Sequence, residues 1–204
     1  MAKASAEAGA RIGAARPAHL DLLRPMAGAG TLILGVPLLD PEGGGYRGSL
    51  MLVRTEALED YLAAEPFRHG GVWESHAVHP FRLAPLPYPA FPEGPVPERP
   101  THAVAIAWDG TDGDAGARRL AVRERHLARV RPAAEGGVLA LGGAILDAPG
   151  GAMIGSVAIT AHASVEEARG WWAEDPYVEG GVWQTVSWYA TRIAPLPYRD
   201  LPRA

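Results

Sequence analysis

Hydrophobic and polar positions change period along the second half of the chain, from runs typical of strands to a spacing typical of helices. Apolar residues at helical spacing predict a first helix, and a capping box of Ser164 and Glu167 predicts the start of a second. In order, the predicted elements are a strand at 102–108, a helix at 118–135, a hairpin at 138–160, a helix ending at Trp172 and a strand at 181–193. The order βαββαβ predicts a ferredoxin-like α+β unit with a four-stranded antiparallel sheet.

The first half of the chain repeats the second. Residues 8–49 match residues 115–156 at 21 of 42 positions. After a three-residue insertion in the second copy, residues 61–88 match residues 171–198 at 12 of 28 positions, and both copies end in APLPY. We therefore predict two ferredoxin-like βαββαβ halves whose antiparallel sheets pack as a pseudo-twofold dimeric α+β barrel within one chain.

The repeat also predicts the domain boundaries. The first repeat is expected at 1–88 and the second, complete repeat at 101–198, followed by a tail at 199–204. The segment 89–100 between the repeats is rich in proline, which is typical of an extended, semi-rigid spacer. This linker can connect the halves without adding a domain.

The first copy departs from the second at its beginning. On the offset of 107 residues Met1 corresponds to Trp108, so the segment that matches the first strand is missing. Because the first strand is central in this topology, its loss would leave two strands without a partner. We expect either a true start further upstream or another segment that supplies the strand.

The composition excludes several classes of protein. Of the 204 residues 48% are hydrophobic, and the net charge of −4 comes without the basic stripe of a nucleic-acid-binding protein. The absence of cysteine excludes disulfides, thiolate metal sites and cysteine nucleophiles. The chain has neither an apolar run of the ~20 residues that a membrane helix needs nor a signal-like start, so we expect a cytoplasmic protein without a membrane partner.

Two histidines at equivalent helix positions are the strongest candidates for chemistry. His126 could pair with Asp175, since a carboxylate on one ring nitrogen holds a histidine in one tautomer that can move protons near neutral pH. Their counterparts in the first copy are His19 and Glu65. The alternative stays open from the residue types alone: a helix histidine satisfied by a local partner, and an aspartate that caps a turn before proline.

Other residues suggest chemistry less strongly. The Gly-rich turns lack the phosphate-loop pattern and predict hairpin turns, beside which Asp40 and Asp147 are expected to bond their own backbone. His69, His76 and His79 have no counterparts in the second copy and no known metal-site spacing, so no metal is expected. Large aromatic residues could line a pocket for a ring substrate or could simply form the core. They are Trp73, Trp171, Trp172, Trp183 and Trp188.

Several short motifs resemble those of the YCII-related domain. RERHLARV, GGVLALGGAILD, IGSVAI and WWAEDPYVEGGVW follow one another in the order typical of that family, over nearly all of the second half. They recur in the first half apart from the missing strand. The resemblance implies a dimeric α+β barrel fold with a His–Asp dyad in a cleft. That dyad maps onto His126 and Asp175, with Ser156 as a polar partner.

The resemblance implies a weaker second site of His19, Glu65 and Ser49, because EPF replaces DPY in the first half. A branch of the family resembles dehydrochlorinases of hydroxylated aromatics. We expect an enzyme without cofactor or metal that uses the dyad for proton transfer, in an isomerisation or elimination of a small, cyclic or aromatic substrate. The alternative is a non-catalytic small-molecule-binding or accessory module with a structural dyad. An intrachain pseudo-dimer is expected, and a homodimer stays open.

Overall fold

The computed structural model describes residues Met1–Leu201. These residues form two compact units, and each unit includes a segment that follows the last strand of the other half. The described part of unit 1 comprises residues 1–78, 91–99 and 191–201, and that of unit 2 comprises residues 79–90 and 100–190. Residues 202–204 of the predicted tail lie outside the described residues. The sequence repeats are contiguous, whereas the compact units exchange their C-terminal segments.

Unit 2 contains the complete βαββαβ repeat. Its elements are β5 (Phe81–Leu83), β6 (His102–Asp109), α4 (Ala115–Glu135), β7 (Leu139–Leu146), β8 (Met153–Thr160), α5 (Val165–Ala173), α6 (Pro176–Glu179) and β9 (Trp183–Thr191). The strand order is β9-β6-β8-β7-β5, and β8 pairs antiparallel with both β6 and β7. The predicted ferredoxin-like α+β architecture of this half is confirmed.

The ends of the helices in unit 2 follow from individual residues. Helix α4 stops at Glu135, before Gly137 with its positive φ of 80°, as the Gly-Gly pair predicts. The Ser164 hydroxyl accepts a hydrogen bond from the Glu167 N–H at 3.1 Å and begins α5. The short helix α6 begins at Pro176, because proline fits the first turn of a helix.

Unit 1 has the same architecture. Its elements are β1 (Ala2–Ala4), α1 (Ala8–Ala29), β2 (Leu32–Leu39), β3 (Tyr46–Val53), α2 (Leu58–Ala64), α3 (Pro66–His69) and β4 (Trp73–His76). The strand order is β4-β1-β3-β2, and all three pairs are antiparallel. Helix α1 ends at Gly30, whose left-handed backbone lets its N–H bond back to the Ala27 carbonyl.

The prediction that the first half lacks its first strand is wrong. Strand β1 lies between β3 and β4, where Ala2 pairs with Ser49 just as Ala107 pairs with Ser156 in unit 2. Only three residues separate β1 from α1, against five between β6 and α4. A single offset therefore conceals a two-residue gap in this loop. The strand is present in a shortened form.

The exchanged segments are anchored by equivalent tyrosines. In unit 2, β5 pairs antiparallel with β7, and the Tyr88 hydroxyl donates to the Gly142 carbonyl at 2.7 Å and accepts from its N–H at 3.1 Å. In unit 1, the Tyr198 hydroxyl bonds the Gly35 carbonyl and N–H in the same way, at 3.1 and 3.2 Å. The segment at the end of the first repeat thus forms part of unit 2, beside the candidate site.

The packing of the two sheets into a single barrel stays a prediction. Within the described residues, no helix combines the length and the apolar character that crossing a membrane requires.

Candidate functional site

His126 and Asp175 lie in direct contact in unit 2. The Nδ1 atom of His126 is 2.8 Å from Oδ1 of Asp175, whose side chain is fully buried. A carboxylate can only accept hydrogen bonds, so the histidine donates from Nδ1 and keeps the lone pair on Nε2. The same Asp175 oxygen accepts the Tyr177 N–H at 2.9 Å. The Asp175 carboxylate is therefore held by both the His126 ring and the backbone of α6.

Local structure explains why this sequence places the pair. His126 projects from the middle of α4, and Asp175 has the extended backbone of an N-cap at the start of α6. The cap fixes the carboxylate, because its hydrogen bond goes to the second residue of that helix. The Tyr177 ring stacks on the His126 ring with centroids 3.8 Å apart and planes inclined by 11°. The Asp-Pro-Tyr sequence thus supplies a cap, a helix start and a ring platform.

Arg129 lies behind the carboxylate. Its Nε is 3.8 Å from Oδ2 of Asp175, and its guanidinium lies 4.6 Å from the centre of the Trp171 ring. One helical turn separates Arg129 from His126 on α4, so both act on Asp175 from the same helix. The arginine places a positive charge beside the buried carboxylate.

A second polar cluster, absent from the sequence-based candidates except for Ser156, lies in the same unit. Arg119 is 3% exposed, and its Nη1 donates to both oxygens of Asp109, at 2.9 and 2.7 Å. Its Nη2 donates to the Ser156 hydroxyl at 2.8 Å, which also accepts from the Trp183 indole at 3.2 Å. The Arg119 guanidinium lies 4.6 Å from the centre of the Tyr177 ring. Tyr177 therefore connects this cluster to the dyad.

Burial sets the electrostatics of this cluster. Desolvation raises the pKa of Asp109, although the Arg119 guanidinium acts in the opposite direction. Burial likewise raises the pKa of Tyr177, against the lowering effect of Arg119 and then Arg123. The field of both arginines thus reaches the ring that stacks on His126.

A cavity of about 130 Å³ connects the two groups. His126, Ser156 and Arg119 all line it, so the structure brings together the dyad and the polar partner that the resemblance implied. Trp172 and Trp183 form part of its apolar wall, which supports the prediction of an aromatic pocket. The remaining wall includes residues 82–86 of the exchanged segment.

Known proteins resemble this chain in sequence and in fold. The YCII-related domain matches residues 102–189. Protein YciI of Escherichia coli is 39% identical over 75 residues, which span 33% of this chain and 76% of YciI. This chain belongs to the YCII-related family.

Two solved structures extend the comparison to the fold. A protein of Lactobacillus acidophilus named as a candidate monooxygenase is 14% identical, with a TM-score of 0.52 over 94% of this chain and 90% of its own. A 5-chloro-2-hydroxyhydroquinone dehydrochlorinase of Burkholderia phenoliruptrix, in complex with 2,5-dihydroxybenzoquinone, is 23% identical. Its TM-score is 0.38 over 43% of this chain and 89% of its own. The first of these likenesses concerns the fold alone.

The first half, outside the YCII-related match, forms a dyad of the same geometry. The Nδ1 atom of His19 is 2.7 Å from Oε1 of Glu65, which also accepts the Phe67 N–H at 2.9 Å. The Phe67 ring stacks on His19 with centroids 3.9 Å apart. The longer glutamate thus fulfils the same capping role as Asp175.

The surroundings of the first dyad differ. Ser49 shares a hydrogen bond of 2.8 Å with the Tyr46 hydroxyl, which in turn accepts from the Trp73 indole at 2.8 Å. Ser49 is therefore tied to a core tyrosine and not to an arginine. Several positions that line the cavity in unit 2 carry different side chains in unit 1. Arg119 is replaced by Ile12, Met153 by Tyr46, Ala158 by Met51, and Tyr177 by Phe67.

The remaining candidates occupy structural positions. Asp40 accepts the Gly44 and Gly45 N–H groups in its turn, as predicted. His69 bonds the Ala63 carbonyl, and His79 lies edge-on to Trp108 within unit 2. Trp171 contacts Arg129, whereas Trp188 lies 5.9 Å from the Arg169 guanidinium.

Two residues of the candidate site, Asp109 and Arg119, were not predicted from the sequence. A signal for them existed in the sequence: Arg119, Arg123 and His126 follow one another at helical spacing on one face of α4. The replacement of Arg119 by Ile12, directly after four positions at which the two copies are identical, was a second signal. It marks a polar position that only one copy retains.

Proposed function

We propose that unit 2 is an acid–base enzyme in which His126, oriented by Asp175, transfers a proton to or from a small ring-shaped organic molecule. The observation that carries this proposal is the 2.8 Å hydrogen bond between Nδ1 of His126 and Oδ1 of Asp175 at the wall of a cavity. A buried carboxylate fixes the tautomer and stabilises the imidazolium that forms when Nε2 takes up a proton.

The reaction class follows from what these groups can do. Nε2 removes a proton from a carbon next to a carbonyl group, which takes up the electron pair as an enolate, and in an isomerisation the proton returns to another atom. In an elimination the electron pair left on carbon expels a leaving group instead. Both reactions begin with the same proton transfer, so the dyad supports the class without deciding between the two.

The first half is proposed to have no part in this reaction. Its dyad keeps the geometry, but Ile12, Tyr46 and Met51 stand where unit 2 has residues that line the cavity. The same comparison favours the second candidate function, a small-molecule-binding module with a structural dyad. Unit 1 keeps its dyad although different side chains stand at the positions that line the cavity in unit 2.

Deuterium exchange tests proton transfer without knowledge of the natural substrate. The full chain is incubated in D2O with enolisable ring compounds, such as cyclic diketones and hydroxyquinones, and deuterium incorporation is followed by mass spectrometry. We expect His126→Gln and Asp175→Asn to slow catalysed exchange by about 10²–10⁴-fold, the usual contribution of a general acid–base group.

The matched control is His19→Gln, the same change in the other dyad. It is expected to leave exchange unchanged while it perturbs unit 1. If the wild-type chain catalyses no exchange with any compound that binds, unit 2 is a binding module. If His126→Gln exchanges at the wild-type rate, His126 is not the acid–base group.

A further inference from the structure

The cavity in unit 2 carries an uneven distribution of charge. Its lining includes four arginines and His126, and no acidic side chain of residues 1–201 lines it. The arginines are Arg82, Arg119, Arg123 and Arg131. Arg119 is neutralised by Asp109. Within the described chain, none of the other three has an ion-pair partner, so an excess of positive charge surrounds the opening.

The size of the cavity limits what can enter it. Its volume of about 130 Å³ is close to that of an apolar protein cavity of about 150 Å³ that takes up benzene. The apolar wall includes Leu139, Trp172 and Trp183, all of them buried. Flat aromatic walls of this kind favour a single flat ring over a chain or a fused ring system.

Most of the charged side chains that line the cavity are exposed, whereas its apolar wall is buried. Arg82, Arg123 and Arg131 are exposed side chains, whereas Arg119 is buried against the Tyr177 ring. A ligand would therefore bury its ring and keep its charged group near the exposed arginines. Arginine suits this task because its planar donors bind a carboxylate or phenolate in pairs.

We propose that the cavity binds an organic anion with a single six-membered ring and one carboxylate or phenolate group, held by the arginines at its opening. The inference rests on the proposed function for its site and adds the class of substrate. Arg123 is the specificity-determining residue: it lies one helical turn from both Arg119 and His126 on the face of α4 that lines the cavity. The anionic group thus positions the ring beside Nε2 of His126.

Binding of three probes of the same shape tests the charge requirement. Benzoate, benzamide and benzamidine carry a negative, a neutral and a positive group on one ring, and each is titrated into the full chain by calorimetry and tryptophan fluorescence. We expect benzoate to bind at least about tenfold more tightly than benzamide, which corresponds to one charge-assisted hydrogen bond, and benzamidine not to bind. Added salt should weaken benzoate alone.

Variants assign the interaction to residues. Arg123→Gln should weaken benzoate by about five- to tenfold and leave benzamide unchanged, since only a charge is removed. Arg16→Gln, the equivalent change in unit 1, is the matched control and should change neither. Ala158→Met introduces the Met51 side chain of unit 1 into the cavity and should abolish binding of both rings.

Binding is measured without turnover, so the outcome is independent of the proton-transfer proposal. His126→Gln is expected to slow deuterium exchange far more than it weakens benzoate binding, because it removes the acid–base group and leaves the arginines in place. The proposal is overturned if benzamide binds as tightly as benzoate, if millimolar benzoate produces no signal, or if Arg123→Gln leaves the affinity for benzoate unchanged.

Discussion

In both halves a histidine of the long helix donates to a carboxylate that caps a short helix, and an aromatic ring stacks on that histidine. Around the second dyad lie a buried Asp109–Arg119 ion pair and a cavity. Around the first, the repeat places Ala4 and Ile12 at the positions of the ion pair. The dyad is thus compatible with either environment. What distinguishes the halves is the polar cluster and the space beside it.

The energetics of buried ion pairs bear on why unit 2 has Asp109 and Arg119 where unit 1 has Ala4 and Ile12. Removing two charges from water costs several kcal/mol per ion, so hydrophobic residues of similar volume often stabilise a core as well or better. Unit 1 follows that solution with Ala4 and Ile12, and unit 2 does not. Because Asp109 and Arg119 contribute little net stability by this argument, we attribute their presence to the cavity, which Arg119 lines while Asp109 binds its guanidinium.

The largest effect expected from the comparison is on stability. Arg119→Ile leaves the Asp109 carboxylate buried without its partner, which should lower the free energy of unfolding by about 3–5 kcal/mol. The double variant Asp109→Ala with Arg119→Ile reproduces the pair of unit 1 and should recover most of that loss. Urea unfolding of the wild type and of both variants measures the difference. A double variant as unstable as the single one would show that the ion pair holds unit 2 together.

A smaller, symmetric effect is expected at the two anchoring tyrosines. Tyr88→Phe leaves the Gly142 carbonyl and N–H without their bonds to the hydroxyl, and Tyr198→Phe does the same to Gly35. Each should lower the free energy of unfolding by about 1–3 kcal/mol, the cost of unsatisfied buried polar groups. Urea unfolding should give similar losses for both. A loss confined to one tyrosine would mean that the exchanged segments are not equivalent.

The pH dependence of Tyr198 sharpens the same comparison. Burial raises its pKa from 10.0 to about 12, because desolvation favours the neutral phenol more than the hydrogen bond with Gly35 favours the phenolate. The unfolded chain therefore loses this proton at lower pH than the folded chain. The stability contributed by the neutral phenol is complete below pH 10.0 and disappears as the pH rises through about 12. Tyr198→Phe should remove that part of the decline in an alkaline unfolding series.

The sequence predicted the repeat, the order of the elements and the partners His126 and Asp175. These follow from local signals: apolar periodicity, the Asp-Pro cap, and a match between the copies. It did not predict β1, because a two-residue gap in the loop before the long helix changes the offset between the copies for the preceding strand. Nor did it predict the Asp109–Arg119 pair, since Ile12 at the position of Arg119 distinguishes the two copies but does not show that the arginine is buried. Which arginine faces the sheet depends on helix rotation.

The smallest effect is expected where the second helices begin. Ser164 caps α5, whereas its counterpart Arg54 precedes a short turn without a side-chain cap and donates to the Gly30 carbonyl from an exposed position. Ser164→Ala should lower the free energy of unfolding by about 1 kcal/mol, the usual contribution of a serine cap. Arg54→Ala should cost less than about 0.5 kcal/mol, as surface changes usually do. Equal losses in urea unfolding would show that the start of the helical segment in unit 1 depends on Arg54. In that case a side chain would stabilise this start in both halves, a serine in unit 2 and an arginine in unit 1.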